Sequence, residues 1–140
     1  MEPDKYDPRR LTIKKEELID TDVLEPATFE YPGSGTEVIY ETEEFTFVCP
    51  WTGLPDFARL IISYVPDRSL VELKSLKYYL NSFRDVGILQ EHAVNRILND
   101  LVKLLGPVSM TVEADYNPRG GLITRAVAKY NRESEGLKNV

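Results

Sequence analysis

Between residues 37 and 130 the apolar residues change their spacing in a fixed order, and that order limits the fold more than any single motif. Over 37–49 the residues Val38, Ile39, Tyr40, Thr42, Phe45, Thr46, Phe47 and Val48 are β-branched or aromatic. They predict one long strand, or two short ones around Glu43 and Glu44. Cys49-Pro50-Trp51-Thr52-Gly53-Leu54-Pro55-Asp56 interrupts the pattern with two prolines and a glycine, and 57–65 predicts a second strand closed by Pro66 and Asp67. The spacing then becomes helical. Leu73, Leu76, Lys77, Leu80, Phe83 and Arg84 share one face before Gly87, and Val94, Ile97, Leu98, Leu101, Leu104 and Leu105 mark a helix over 90–105 that stops at Gly106 and Pro107. Residues 108–116 alternate without a fault, with Val108, Met110, Val112, Ala114 and Tyr116 on one face. After the turn Asn117-Pro118-Arg119-Gly120-Gly121, residues 122–130 predict the last strand.

The order β-β-α-α-β-β groups strands with strands and helices with helices, which predicts an α+β domain with two helices on one face of a four-stranded antiparallel sheet. If the other face is not solvated, a second chain must cover it, so a homo-oligomer is expected. Residues 1–35 carry Pro3, Pro8, Pro26 and Pro32 among charges and are expected to form a loosely ordered N-terminal extension. Residues 131–140 are polar and aperiodic and read as a frayed tail, which leaves 36–130 as the domain.

Composition removes several classes of function. The 140 residues carry a formal charge of −6, so the electrostatic footprint of a nucleic-acid binder is missing and no direct contact with nucleic acid is expected. A single cysteine excludes an intrachain disulfide and suits a reducing compartment. Neither a leader sequence nor a run of about 18 apolar residues is present, so no membrane association and a cytoplasmic address are expected. One histidine and one cysteine cannot alone build the three-ligand protein sets common at catalytic zinc, so no metal is expected.

Few residues can carry chemistry. Cys49 closes a strand and opens a loop stiffened by two prolines, with Asp56 seven positions on. A thiol held with fixed aim beside a carboxyl can serve as nucleophile and proton carrier, while a lone cysteine can equally be a small buried apolar residue. Lys74 and Lys77 lie at the start of the first helix, where cations and free backbone N–H groups suit an anion, or form a solvated basic edge. Arg119 beside Gly120 and Gly121 can approach a phosphate or merely sit in a hairpin turn. Glu91 opens the second helix either as a favourable charge at its N-terminus or as an acceptor for two adjacent N–H groups of a ligand.

Taken together, Cys49-Pro50-Trp51-Thr52-Gly53-Leu54-Pro55-Asp56-Phe57, Glu72-Leu73-Lys74-Ser75-Leu76-Lys77-Tyr78-Tyr79, Glu91-His92-Ala93-Val94-Asn95 and Pro118-Arg119-Gly120-Gly121 closely resemble the NADPH-dependent 7-cyano-7-deazaguanine reductases of queuosine biosynthesis, in their short, single-module form. The resemblance spans about 37–130. It implies the tunnelling fold, whose sheets join side by side into oligomeric barrels, and an assembly of two stacked pentamers with the substrate between subunits. It implies NADPH as cofactor and a four-electron reduction of a nitrile to an aminomethyl group. On this pattern Cys49 resembles the nucleophile that forms a covalent thioimide, and Asp56 the acid that protonates the nitrogen. Val71, Glu72, Leu73, Gln90 and Glu91 match the segments that contact the deazaguanine, and Lys74, Lys77 and Arg119 the cofactor contacts. The chain departs from the pattern at Gln90, where many members carry histidine; its own His92 lies two places later. A glutamine cannot relay a proton near neutral pH, so either Gln90 only hydrogen-bonds or His92 reaches in from the next turn.

Overall fold

The computed structural model describes residues 13–134. Strands β2 (Val38–Val48) and β3 (Pro55–Val65) pair antiparallel, and their register slips once, between Thr42 and Phe45. There β2 spends one residue more than β3, since Thr42 faces Leu60 and Phe45 faces Ala58. The bulge settles the alternative of one strand or two: it is one strand with a step in it, and the step keeps both halves in phase, with Tyr40 and Thr42 before it and Phe45 and Phe47 after it turned toward the helices. Helices α1 (Leu73–Asn81) and α2 (Gln90–Leu105) follow, then β5 (Ser109–Tyr116) and β6 (Arg125–Asn131). The sheet order is β2-β3-β5-β6, antiparallel throughout, with both helices on one face, so the expected α+β arrangement is present.

Helix α2 has the bounds its spacing predicts. It buries Ala93, Val94, Ile97, Leu98, Leu101 and Leu105 against β5 and β6 and ends where Gly106 turns left-handed, φ 52°. Helix α1 is shorter than its spacing suggests and buries a different stripe: Ser75, Leu76 and Tyr79 face the core, whereas Leu73 is 49% exposed and Lys77 is exposed. The chain leaves the helix at Asn81, so Phe83 reaches the core from the turn that follows and stacks edge-on with Phe45 at 5.2 Å. Strand β6 starts at Arg125, three residues later than the pattern suggests, because Leu122 and Ile123 belong to an exposed turn.

The expectation for residues 1–35 requires correction over the part described. Glu16–Leu18 and Thr21–Val23 are short 3-10 turns, Ile19 and Leu24 are buried, and β1 (Pro26–Thr28) pairs antiparallel with β4 (Ser69–Val71). The segment is a strap, fastened by a polar cluster. Arg96 donates to Asp100 Oδ2 at 2.8 Å, to Thr21 Oγ1 at 3.1 Å and to the Glu16 carbonyl at 3.2 Å, and the Tyr79 hydroxyl donates to the same Asp100 oxygen at 2.6 Å. Two apolar anchors and a satisfied ion pair hold in place a stretch whose composition alone suggests an open arm. Residues 1–12 of that extension, and all but the first four residues of the 131–140 tail, lie outside the described part.

Candidate active site

The site forms where four elements end together: β2 at Val48, β3 at Pro55, the N-terminus of α2 and the turn after β5. Cys49 closes β2, and its loop is tied across by Cys49 N–H donating to the Leu54 carbonyl at 2.9 Å and Gly53 N–H donating to the Cys49 carbonyl at 2.8 Å, with Gly53 at φ 71°. Such a turn needs the left-handed conformation that glycine adopts without strain. Gly87 packs beneath this loop so closely that a Cβ there would lie 3.2 Å from Pro50 Cα and 2.7 Å from Ile13 Cγ2. The cysteine is buried, yet Trp51, the only tryptophan of the chain, stands 69% exposed at the loop's outer edge.

Burial would raise the Cys49 thiol pKa, but hydrogen bonds from the Thr52 hydroxyl and backbone, from the Trp51 backbone and from Arg119 outweigh it, and the thiol is held below its ordinary value. Asp56 lies one residue inside β3, on the core face, and is 4% exposed. Burial pushes its carboxyl above the usual range; the Arg119 charge and hydrogen bonds from Gln90 and Arg119 oppose this, and Glu91 adds to it. Arg119 Nη2 forms an ion pair with Asp56 Oδ1, and Gln90 Nε2 donates to the same oxygen at 3.3 Å. The Tyr116 hydroxyl donates to the Gln90 carbonyl at 2.8 Å, and its ring meets Phe47 edge-on at 5.8 Å, so α2 is seated on the sheet at the residue that touches Asp56.

Cys49, Asp56, Gln90, Glu91 and Arg119 are therefore gathered at one end of the sheet. Of the two residues that could stand for the family histidine, Gln90 reaches Asp56, whereas His92 is exposed. Arg119, expected at a cofactor phosphate, pairs with Asp56 here; that pairing joins a turn to the start of a distant strand and leaves no trace in local sequence. Thr52 was missed too, although a hydroxyl three residues after a cysteine in a tight loop is a visible signal.

The second group of expected residues lies elsewhere. Glu72 caps α1: its carboxylate accepts from Lys74 N–H at 2.8 Å and Ser75 N–H at 2.7 Å, and these bonds, Ser75 first, hold it below the usual carboxylate range. The N–H groups thought available to an anion are thus already taken by Glu72, although each of its oxygens keeps a further lone pair. The strap fixes this cap from behind, since Glu72 N–H donates to the Glu25 carbonyl at 2.9 Å and Glu25 N–H donates to Ser75 Oγ at 3.0 Å. Val71 is buried and donates its N–H to the Tyr64 hydroxyl at 3.2 Å. Lys74 and Lys77 are exposed, and neither pairs with a carboxylate of the described residues; Lys77 lines a cleft of about 550 Å³ between α1 and β2, with Tyr40, Phe45 and Leu76. Among the described residues no cluster of three metal-ligating side chains occurs, and no helix is long and apolar enough to cross a membrane.

Fold and site define an α+β protein with a buried thiol held below its ordinary pKa and a buried carboxyl under one arginine, at the end of a helix-backed antiparallel sheet. Comparison with known proteins narrows the class. Residues 55–135 match the family model for QueF-like protein. A protein of Caldicellulosiruptor bescii named NADPH-dependent 7-cyano-7-deazaguanine reductase is 61% identical over 129 residues, covering 92% of this chain and 98% of its own. A protein of the same name from Thermoanaerobacter pseudethanolicus is 58% identical over 93% of this chain and 98% of its own. The crystal structure of an archaeosine synthase QueF-Like in the apo form shares the fold, with a TM-score of 0.63 at 22% identity over 69% of this chain and 94% of that one. The chain belongs to the QueF-like family, among relatives that carry the reductase name.

Proposed function

We propose that this chain reduces the nitrile of 7-cyano-7-deazaguanine to an aminomethyl group through a thioimide on Cys49. It is an NADPH-dependent oxidoreductase, as its near relatives are named, and on this reading its reaction serves queuosine biosynthesis. The observation that carries the finer reading is the pairing at one strand end of a thiol held low and a carboxyl held high. A thiol more ionised than usual attacks the nitrile carbon, and a carboxyl whose proton affinity burial raises can deliver a proton to the nitrogen as negative charge gathers there. The Cys49 sulfur forms the S–C bond, one π bond of the nitrile opens, and the proton moves from Asp56 to nitrogen. Gln90, donating to Asp56 Oδ1, fixes the carboxyl's aim.

Lys74, Lys77 and Arg119 suit the phosphates of NADPH, since the two ammonium groups are exposed and without carboxylate partners among the described residues, and a guanidinium grips a phosphate with two parallel bonds. When bound, NADPH supplies hydride, two per nitrile, which makes the reduction a four-electron one. Glu91, Glu72 and their neighbours Val71 and Leu73 are assigned to the deazaguanine, whose adjacent N–H groups suit a carboxylate with free lone pairs.

These two carboxylates are not neighbours within one chain. Val71 is bonded to Tyr64, and Tyr64 lies eight residues along β3 from Asp56, about 26 Å at strand rise. The reading therefore needs a second copy to bring its Glu72 to this copy's Glu91, in agreement with a homo-oligomer of two stacked pentamers. The test is NADPH oxidation with 7-cyano-7-deazaguanine, counted per nitrile. Two NADPH per nitrile, with no turnover and no covalent adduct by mass spectrometry in Cys49→Ala, is the expected result. Turnover that survives in Cys49→Ala removes the thioimide.

A further inference from the structure

Asp56 is almost wholly buried, and among the described residues Arg119 is its only cationic partner. The other groups turned toward it bring no positive charge: Gln90 is a neutral donor, and Glu91 and Tyr116 are acidic or neutral. Arg119 itself is only half covered, with a side-chain exposure of 48%, and it rides on a turn closed by the reciprocal Arg119–Leu122 backbone bonds, both 2.9 Å. Gly120 and Gly121 behind it have φ of 54° and 81°, with nothing within 4 Å of where a side chain would stand. The guanidinium can therefore leave Asp56 without disturbing the sheet. A phosphate offers it a more highly charged, bidentate partner than one carboxylate oxygen does.

We propose that Arg119 exchanges between Asp56 and a phosphate of the bound cofactor, so that cofactor binding and the proton on Asp56 are coupled. The inference rests on the reading of Arg119 as a cofactor contact. With the guanidinium on Asp56 the carboxylate is compensated and stays ionised. With it on a phosphate, a buried carboxylate has no counter-ion and takes up a proton from water. Protonated Asp56 is the form that can supply the nitrogen: its O–H bond breaks, an N–H bond forms, and the carboxylate is left for Arg119 to reclaim on release. Loading the site thus arms the acid. By reciprocity, removing the charge of Asp56 must release Arg119 and tighten cofactor binding by the same factor.

The test is the affinity for NADP+, which binds without turnover, in the unmodified protein, Asp56→Asn, Arg119→Gln and the double variant, each measured across pH. Asp56→Asn is expected to bind at least about fivefold more tightly near neutral pH. Arg119→Gln is expected to bind more weakly, and the double variant no better than Arg119→Gln. The unmodified protein loses affinity as pH rises through the Asp56 titration, and Asp56→Asn does not. In parallel, with no cofactor present, the pH midpoint for alkylation of Cys49 by iodoacetamide moves upward in Arg119→Gln, because the guanidinium no longer favours the thiolate. Equal affinity in Asp56→Asn and the unmodified protein overturns the exchange while leaving the reductase intact. Equal tightening with and without Arg119 overturns it as well, since Asp56 would then repel the cofactor directly. No binding of NADP+ to the unmodified protein removes the cofactor assignment itself.

Discussion

Asp56 is a charge placed where charge is costly. Folding raises its proton affinity, so the native state holds more protons than the unfolded chain between the ordinary carboxylate value and the raised one. Ionisation therefore costs stability, and the cost grows as pH rises through that window. Asp56→Asn is expected to raise the melting temperature by more near neutral pH than near pH 4, read by calorimetry, while abolishing turnover. Gly87 makes the opposite prediction. Gly87→Ala drives a methyl group against Pro50 Cα and Ile13, and should cost about 1–3 kcal/mol in denaturant unfolding and slow the alkylation of Cys49 by displacing its loop. The thiol, the carboxyl and Glu91 were legible as site candidates because each sits at a break in spacing, where a strand or helix begins or ends. The grip of Arg119 on Asp56 was not, because a turn and a strand start 63 residues apart in sequence meet only after the sheet has formed.

Elements differ in how much of themselves they show. Helix α2 is written in six apolar residues at helical steps and a Gly-Pro stop, and it appears with those bounds. The strap is almost unwritten: Leu18-Ile19 and Val23-Leu24 are two short apolar pairs among charges, and β1 is three residues long, so its pairing with β4 leaves no period to read. The bulge in β2 lies between, visible as two glutamates in an otherwise regular strand. It yields a sharp prediction. Deleting Glu44 removes the extra residue and keeps Thr42 and Phe45 on the core side, whereas deleting Thr46 beyond the bulge turns Phe47 outward. The first change should cost little in urea unfolding. The second should cost about 3–5 kcal/mol, the loss expected for a buried phenylalanine.

At the scale of the whole molecule, the proposed site spans two chains, since Glu72 follows Val71, which is tied to Tyr64 at the far end of β3 from Asp56. Cys49→Ala and Glu72→Ala chains, each inactive alone, should regain about a quarter of the unmodified rate when mixed one to one and allowed to exchange subunits, because one interface in four then carries both intact residues. Recovery of nothing, with exchange confirmed by mass spectrometry, would place the complete site in a single chain. The bare face of the sheet bears the same stamp: Ile39, Phe57 and Val127 are exposed on it beside the ion pairs Arg59–Glu41 and Arg125–Asp115, a mixed surface that leaves room for either water or a neighbour. One further property of the molecule follows from the loop that holds the thiol. Trp51 is the chain's sole indole, so all tryptophan fluorescence comes from a ring two residues from Cys49, and a change in its emission on adding 7-cyano-7-deazaguanine or NADP+ is the expected label-free sign that this loop borders the site.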